Sequence, residues 1–272
     1  MSAMLRGETL TVGYHKHAAP ILEAQSISLK SNGITALIGP NGSGKSTLLR
    51  TLGRQLHPQA GHVVLDGQDV ARLPARDLAR TLGILFQENT APGGLTVEAL
   101  AYHGRHPHRR MFQDLTPEDH AAVDRALGLA GISDLRHRNI SHLSGGQRQL
   151  AWLAMVLAQA PRVLLLDEPT TFLDLRHQLE VMEVVTRLRE EMALTVVMVL
   201  HDINQAVRFA DEIFALREGR IVAHGPPSQI LTRALLRDVF GIEAEITQLS
   251  DGALVCVPLR PTPKMEELSD AI

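Results

Sequence analysis

The chain has 272 residues, 44% of them hydrophobic and 21% charged, which are the proportions of a globular protein and exclude bulk disorder, collagen-like and coiled-coil architectures. With 27 Lys and Arg against 30 Asp and Glu, the formal charge of -3 excludes a global attraction to nucleic acid or to an anionic bilayer, so any such contact has to be local. The single cysteine, Cys256, excludes an intramolecular disulfide and multi-cysteine metal sites, as suits a reducing compartment, and it reads as a small apolar strand residue.

The N-terminal stretch, residues 1–8, has no apolar signal-peptide core, and no apolar run approaches the ~20 residues of a membrane-spanning helix. A soluble, unprocessed protein is expected. The apolar run Thr35-Ala36-Leu37-Ile38 stops at Gly39-Pro40 as a strand ending in a loop, and a helical pattern follows from Ser46 to Leu52. Val63-Val64-Leu65 runs into Asp66-Gly67, a dipeptide suited to a tight hairpin turn, and another strand is predicted at Gly83-Ile84-Leu85-Phe86. Between Glu88 and about Leu143 the β signal disappears. There Thr116-Pro117-Glu118-Asp119 offers a capping threonine, a proline at the first helical position and early acids, so the segment is predicted to be a helical insertion. Residues 163–166 and 195–200 are apolar at every position, as buried parallel strands require, and helical patterns flank both. A strand pair brackets Glu218-Gly219, a small C-terminal unit follows Gly225-Pro226-Pro227, and the chain ends in a polar tail.

Gly39-Pro40-Asn41-Gly42-Ser43-Gly44-Lys45-Ser46 fits G-x-x-x-x-G-K-[ST] between a strand and a helix, the setting in which backbone N–H groups cradle phosphates. Glycines at 42 and 44 let the backbone approach the phosphate oxygens, and Lys45 reaches the β- and γ-phosphates. Ser46 brings a hydroxyl to Mg²⁺, while Thr47 supports the α-phosphate. Asn41, Gly42, Ser43, Gly44, Lys45, Ser46 and Thr47 are thus the expected nucleotide contacts. The second strand ends in Asp167-Glu168, at the sheet edge where open α/β sheets bind ligands. Asp167 is suited to hold Mg²⁺ through its water shell, and Glu168 to deprotonate the attacking water. Two acids in that place also read as the cap of the next helix, an alternative that weakens beside the phosphate loop.

Leu143-Ser144-Gly145-Gly146-Gln147 precedes an amphipathic helical pattern and makes a second anion site. One nucleotide has no need of two such sites in one chain, so Ser144 and Gly146 are assigned to the γ-phosphate bound by a second copy, which implies a head-to-tail homodimer.

With these motifs in this order, the chain resembles the ATP-binding cassette (ABC) ATPases over roughly residues 8–240. The resemblance implies an α/β fold with a phosphate-loop NTPase core and mostly parallel sheet, an N-terminal antiparallel β subdomain and a helical insertion. It implies a single domain over residues 5–258, the helical subdomain at about 88–160 and a polar tail at 259–272. It also implies that Tyr14 stacks on adenine, that Gln87 touches Mg²⁺ and the attacking water, that His201 contacts the γ-phosphate, and that Asp174 crosses the dimer interface; the whole segment 144–147 joins the nucleotide contacts. Leu150 departs from the arginine usual after Gln-Arg-Gln, with no loss of hydrolysis expected.

With no membrane span of its own, such an ATPase has to drive another subunit. The resemblance implies that the insertion grips a membrane permease, with Leu95-Thr96-Val97-Glu98-Ala99-Leu100 where the groove is expected, and that the protein works at the cytoplasmic face of the inner membrane. Residues 104–108 and 170–178 look like those of ferric-siderophore, haem and cobalamin importers, Thr171-Phe172 most of all. A ferric siderophore is the favoured cargo, delivered by a substrate-binding protein that meets the permease. The histidines at 103, 106 and 108, with Arg105, Arg109 and Arg110, read as a solvated basic surface rather than a metal site, and His15 and His17 as loop residues. Two rivals are weighed. A cassette acting on nucleic acid or ribosomes lacks its usual second cassette, and a phosphate-loop kinase or GTPase leaves Ser144-Gly145-Gly146 unexplained.

Overall fold

The computed structural model of the chain describes residues 5–14, 19–87, 93–110, 113–250 and 252–262. His15, His17 and residues 263–272 of the expected tail lie outside these. In chain order the elements begin with β1 (Leu5–Val12), β2 (Leu22–Ser28), β3 (Ile34–Ile38), α1 (Lys45–Leu52), β4 (Ala60–Leu65), β5 (Gln68–Asp69), α2 (Ala75–Thr81) and β6 (Leu82–Leu85). The insertion carries α3 (Val97–His103) and α4 (Pro117–Leu129), and leads into α5 (Gly145–Ala158). Then come β7 (Val163–Asp167), α6 (Leu175–Met192), β8 (Thr195–Val199), α7 (Ile203–Phe209), β9 (Glu212–Arg217) and β10 (Arg220–Gly225). The last are α8 (Pro227–Ile230), α9 (Arg233–Phe240), β11 (Ile242–Gln248) and β12 (Leu254–Pro261).

A six-stranded sheet in the order β10-β9-β3-β8-β7-β6 is parallel except for the β9–β10 hairpin, and an antiparallel sheet in the order β2-β1-β4-β5 faces it. Strands β3, β7 and β8 are buried at every position, which is why their sequences are apolar but for Thr35, Asp167 and Thr195. Successive side chains alternate between two cores: Ala36, Leu164, Leu166, Val196 and Met198 join one, Leu37, Leu165, Val197 and Val199 the other. The first core also holds Val97, Leu100, Val123 and Leu153, so the insertion shares it with the sheet; the second lies under α1 and the antiparallel sheet. Both short hairpins turn on the dipeptides read from the sequence. Asp66 and Gly67 have φ of 51° and 80°, and Glu218 and Gly219 have 49° and 76°, the left-handed pair that matches strand twist.

Among the described residues of 88–143, extended pairing is limited to the single bridge Thr96–Asn139. The C-terminal unit is a β11–β12 hairpin packed on α7 and α9 through Cys256, Ala244, Leu236 and Leu231. Its second strand continues to Pro261, past the boundary at 258 expected for the domain.

The helix start expected at Thr116 forms a capping box with Asp119, and the same carboxylate accepts a hydrogen bond from Arg105 Nε at 2.8 Å. Arg105 Nη1 donates to the Ala158 carbonyl at 2.8 Å, so one guanidinium fastens the end of α3, the start of α4 and the end of α5. Arg105 is only 3% exposed, which corrects the expectation of a solvated basic surface at this position: a buried guanidinium requires such partners. Burial alone would raise the Asp119 pKa, but hydrogen bonds from Arg105 and Thr116 outweigh it and hold the carboxyl down at about 2. An unfolded aspartate titrates near ~4. The stabilisation, on the order of 2 kcal/mol, is therefore present above that pH and lost as pH falls toward 2. Asp119→Asn, which strands the buried guanidinium, is expected to lower the unfolding free energy by about 3–5 kcal/mol in denaturant titrations at neutral pH and to flatten the acid limb.

Candidate functional site

Strand β3 delivers the chain to Gly39 at the carboxyl edge of the parallel sheet, and α1 begins at Lys45. A Cβ on Gly39 would lie 2.1 Å from the Leu216 carbonyl oxygen, so this turn can press against β9 only as glycine. Gly44 occupies the position before α1 in the left-handed region, φ 98°, with no side chain capping the helix. The first N–H groups of α1 therefore have no intrahelical partner, and they face a cleft of about 280 Å³. Asn41, Gly42, Gly44, Lys45, Ser46 and Thr47 line it along with Tyr14, Glu168 and His201. Tyr14 is 54% exposed and presents an open aromatic face.

Lys45 is buried, and its Nζ donates to the carbonyls of Gly39 and Pro40, both at 2.9 Å. Burial lowers its pKa, opposed by the nearby carboxylates of Glu168 and Asp167. Asp167 is fully buried at the end of β7; it continues the face of Val163 and Leu165, toward α1. Ser46 Oγ donates to its Oδ1 at 2.7 Å and Arg50 Nη2 to its Oδ2 at 3.2 Å. Glu168, in the left-handed region at φ 54°, turns away from that face. Its Oε2 accepts from Gln87 Nε2 at 2.7 Å and from Thr171 Oγ1 at 3.0 Å, while His201 Nε2 lies 2.5 Å from its Oε1. The structure thus gathers Gln87, Glu168 and His201 at one point, beside the loop.

Ser43 does not line the cleft: its side chain is buried and its Oγ has no hydrogen-bond partner. Sequence reasoning missed Arg50, Thr171 and Ile21. Arg50 had a signal, since it stands four residues after Ser46 on the same helix face. Thr171 had been read only as a mark of resemblance, and nothing in the sequence pointed to Ile21 beside Tyr14.

Ser144, Gly145, Gly146, Gln147 and Asp174 do not line the cleft but form a second cluster. Ser144 caps α5 in a capping box with Gln147, and Asp174 caps α6 while also bonding His177 Nδ1 at 2.8 Å. Hydrogen bonds from the His177 backbone and ring lower the Asp174 pKa. Beside this cluster Phe172, at φ 63°, is 92% exposed and Leu175 77%. Leu150 is buried in the first core, where an arginine would need a partner.

The expected groove at residues 95–100 is not where the apolar surface opens. Val97 and Leu100 point into the core. Instead, a groove of about 380 Å³ runs between α2 and β6 on one side and α3 and α5 on the other, lined by Leu78, Ile84, Phe86, His103 and Met155. A basic cavity with His106, Arg76, Arg109 and Arg110 on its wall shares Ala75 and Ala79 with that groove. His108 Nε2 lies 2.9 Å from the Gln159 carbonyl oxygen.

The ABC transporter family model matches residues 22–171. The ferric enterobactin transport ATP-binding protein FepC of Escherichia coli (strain K12) is 46% identical over 244 residues, covering 90% of this chain and 89% of its own. The petrobactin import ATP-binding protein FpuC of Bacillus anthracis is 45% identical over 230 residues, 85% of each. The dimeric structure of MJ0796, a bacterial ABC transporter cassette, superposes with a TM-score of 0.71 at 27% identity, covering 82% of this chain and 98% of that one.

Gly146 ties the second cluster together. A Cβ there would meet the His177 ring and its Cβ at 2.2–2.7 Å, too near the backbone for the side chain to swing clear. Gly146→Ala is therefore expected to cost about 1–3 kcal/mol of stability by overpacking, and to break the Asp174–His177 contact. Adding His177→Ala should recover part of the loss in the thermal midpoint; no recovery would mean that the two residues do not press on each other.

Proposed function

The chain belongs to the ABC transporter family, and within it we propose the role of the ATP-hydrolysing subunit of an importer that takes up a ferric siderophore through a membrane permease. The observation that carries the hydrolytic part is the meeting of Gln87, Glu168 and His201 beside the phosphate loop. Adenine stacks on Tyr14, and the phosphates lie over residues 41–47, where the uncapped N–H groups of α1 bind their oxygens. Lys45 exchanges the carbonyls of Gly39 and Pro40 for the β- and γ-phosphate oxygens.

Ser46 and Asp167 present hard oxygen donors 2.7 Å apart, a pair that fits Mg²⁺, with Gln87 as the third residue. The ion supplies charge neutralisation to the phosphates. Glu168 takes a proton from water as the water oxygen bonds to the γ-phosphorus and the bond to the β–γ bridging oxygen breaks, leaving ADP and inorganic phosphate. His201 holds the γ-phosphate and the water in line.

A second copy completes the site: its Ser144, Gly145, Gly146 and Gln147 face the γ-phosphate, and its Asp174 crosses the interface. The exposed Phe172 and Leu175 beside Asp174 support burial of that face. The mixed groove between α2 and α5, with its basic end, supports docking of the permease at the cytoplasmic face of the inner membrane, the substrate-binding protein acting indirectly. Among the described residues no helix is long and apolar enough to cross a membrane. FepC and FpuC, named for ferric enterobactin and petrobactin, support the choice of cargo over haem or cobalamin.

Glu168→Gln is expected to keep ATP affinity, to lower hydrolysis by about 10²–10⁴-fold and to trap a dimer visible by size exclusion; turnover at the parent rate would remove Glu168 as the base. Lys45→Ala is expected to weaken nucleotide binding by about 10–100-fold, the worth of a charge-assisted hydrogen bond. Cells lacking the protein are expected to lose uptake of radiolabelled iron as its siderophore complex while haem and cobalamin uptake persist; the opposite pattern would reassign the cargo.

A further inference from the structure

His201 can meet Glu168 only as well as the backbone that carries it is held. It directly precedes Asp202, whose carboxylate caps α7 by accepting from the backbone N–H groups of Asn204 and Gln205. With seven residues α7 is too short to be stable by itself. Two neighbouring side-chain amides tie it to separate parts of the chain.

Gln205 makes one tie. Its Oε1 accepts from Thr170 Oγ1 at 3.0 Å and its Nε2 donates to Gln178 Oε1 at 2.7 Å, while Gln178 Nε2 donates to the Leu173 carbonyl at 2.9 Å. Helix α7 is thereby joined to the turn that leads from Glu168 to Asp174. Asn204 makes the other. Its Oδ1 accepts from the Cys256 backbone N–H at 2.8 Å and its Nδ2 donates to the Cys256 carbonyl at 3.1 Å. One side-chain amide thus gives β12 the donor and acceptor that a neighbouring strand would give. Apolar contacts of Ile203 and Val207 with the cluster around Cys256 lie under it.

We propose that the C-terminal hairpin supports hydrolysis: through Asn204 it fixes α7, and α7 holds His201 against Glu168. Asn204 is then a positioning residue for attack on the γ-phosphate, and β11–β12 is its anchor. The hairpin is already packed against Leu231, Leu236, Ile203 and Val207, and α7 is already capped by Asp202, so neither task explains a side chain that spends both its donor and its acceptor on one backbone residue. The inference rests on the ATPase reading above.

The test uses the full chain with Asn204→Ala and Asn204→Asp. The aspartate keeps the acceptor for the Cys256 N–H, loses the donor to its carbonyl, and places negative charge in the first turn of α7, where it favours the helix. It therefore keeps the comparison decisive if the alanine variant fails to fold. The expected result is a fall in kcat of about 10–100-fold for alanine, the cost of a misplaced catalytic group. A smaller fall is expected for aspartate, with KM for ATP and nucleotide affinity within about twofold of the parent in both. A lowered thermal midpoint with kcat within twofold of the parent in the folded variants would make the tie structural only and overturn the proposal. A parent chain that fails to hydrolyse ATP would instead overturn the ATPase reading.

Discussion

A carboxylate with no exposure to solvent has to be met by donors, and at Asp167 both come from one helix. Ser46 and Arg50, a turn apart on α1, bond its two oxygens. That demand places the N-terminus of α1 over the end of β7 and so sets the phosphate loop at the sheet edge. The next residue goes the other way. Glu168 leaves the strand in the left-handed region and meets Gln87, Thr171 and His201, which come from the ends of β6 and β8 and from the turn after β7. One dipeptide therefore sends its two acids to different places, the buried one to the loop and the more accessible one to Gln87 and His201, which is what the two tasks proposed for them require.

The local chemistry was legible in the sequence wherever a motif is contiguous. Residues 39–46 announce the phosphate loop because strand, glycines and lysine sit in one short window, and the all-apolar run before Asp167 announces a parallel strand. Asp66-Gly67 announces a hairpin because both residue types tolerate positive φ, and Gly219 does so at the second position of its own turn. What was not legible depends on contacts between distant segments. The burial of Arg105 rests on Asp119 and Ala158, which are far along the chain, and a run rich in His and Arg reads as exposed without them. The resemblance alone implies a groove at residues 95–100, but α3 turns Val97 and Leu100 into the core, and the open groove lies between α2 and β6 on one side and the end of α3 and α5 on the other. The exposed Phe172 and the paired amides on α7 likewise have no signature in the order of residues.

The two clusters of candidate residues have different internal logic. Around Glu168 the contacts are polar and converge from three segments, so each partner limits where the carboxylate can point. Around Ser144 the contacts are steric as well as polar. Gly146 admits the ring of His177, and His177 holds Asp174, so the cap of α5 and the cap of α6 form a single rigid corner. A corner of that kind suits residues whose proposed partner is another protein copy, since it offers several groups in fixed relation at little cost in ordering.

Among the described residues, the insertion between β6 and β7 has no core separate from that of the sheet. Val97, Leu100, Val123 and Leu153 belong to the same apolar cluster as the inward faces of β3, β7 and β8. Cutting out residues 93–143 and rejoining the ends would uncover the face of the sheet that carries Leu164, Leu166 and Met198, opposite the face of Asp167, so this segment is not a detachable module that other cassettes could borrow. For the same reason, rotation of the insertion relative to the sheet has to proceed by sliding across a filled boundary in small increments, and not by swinging on a free pivot.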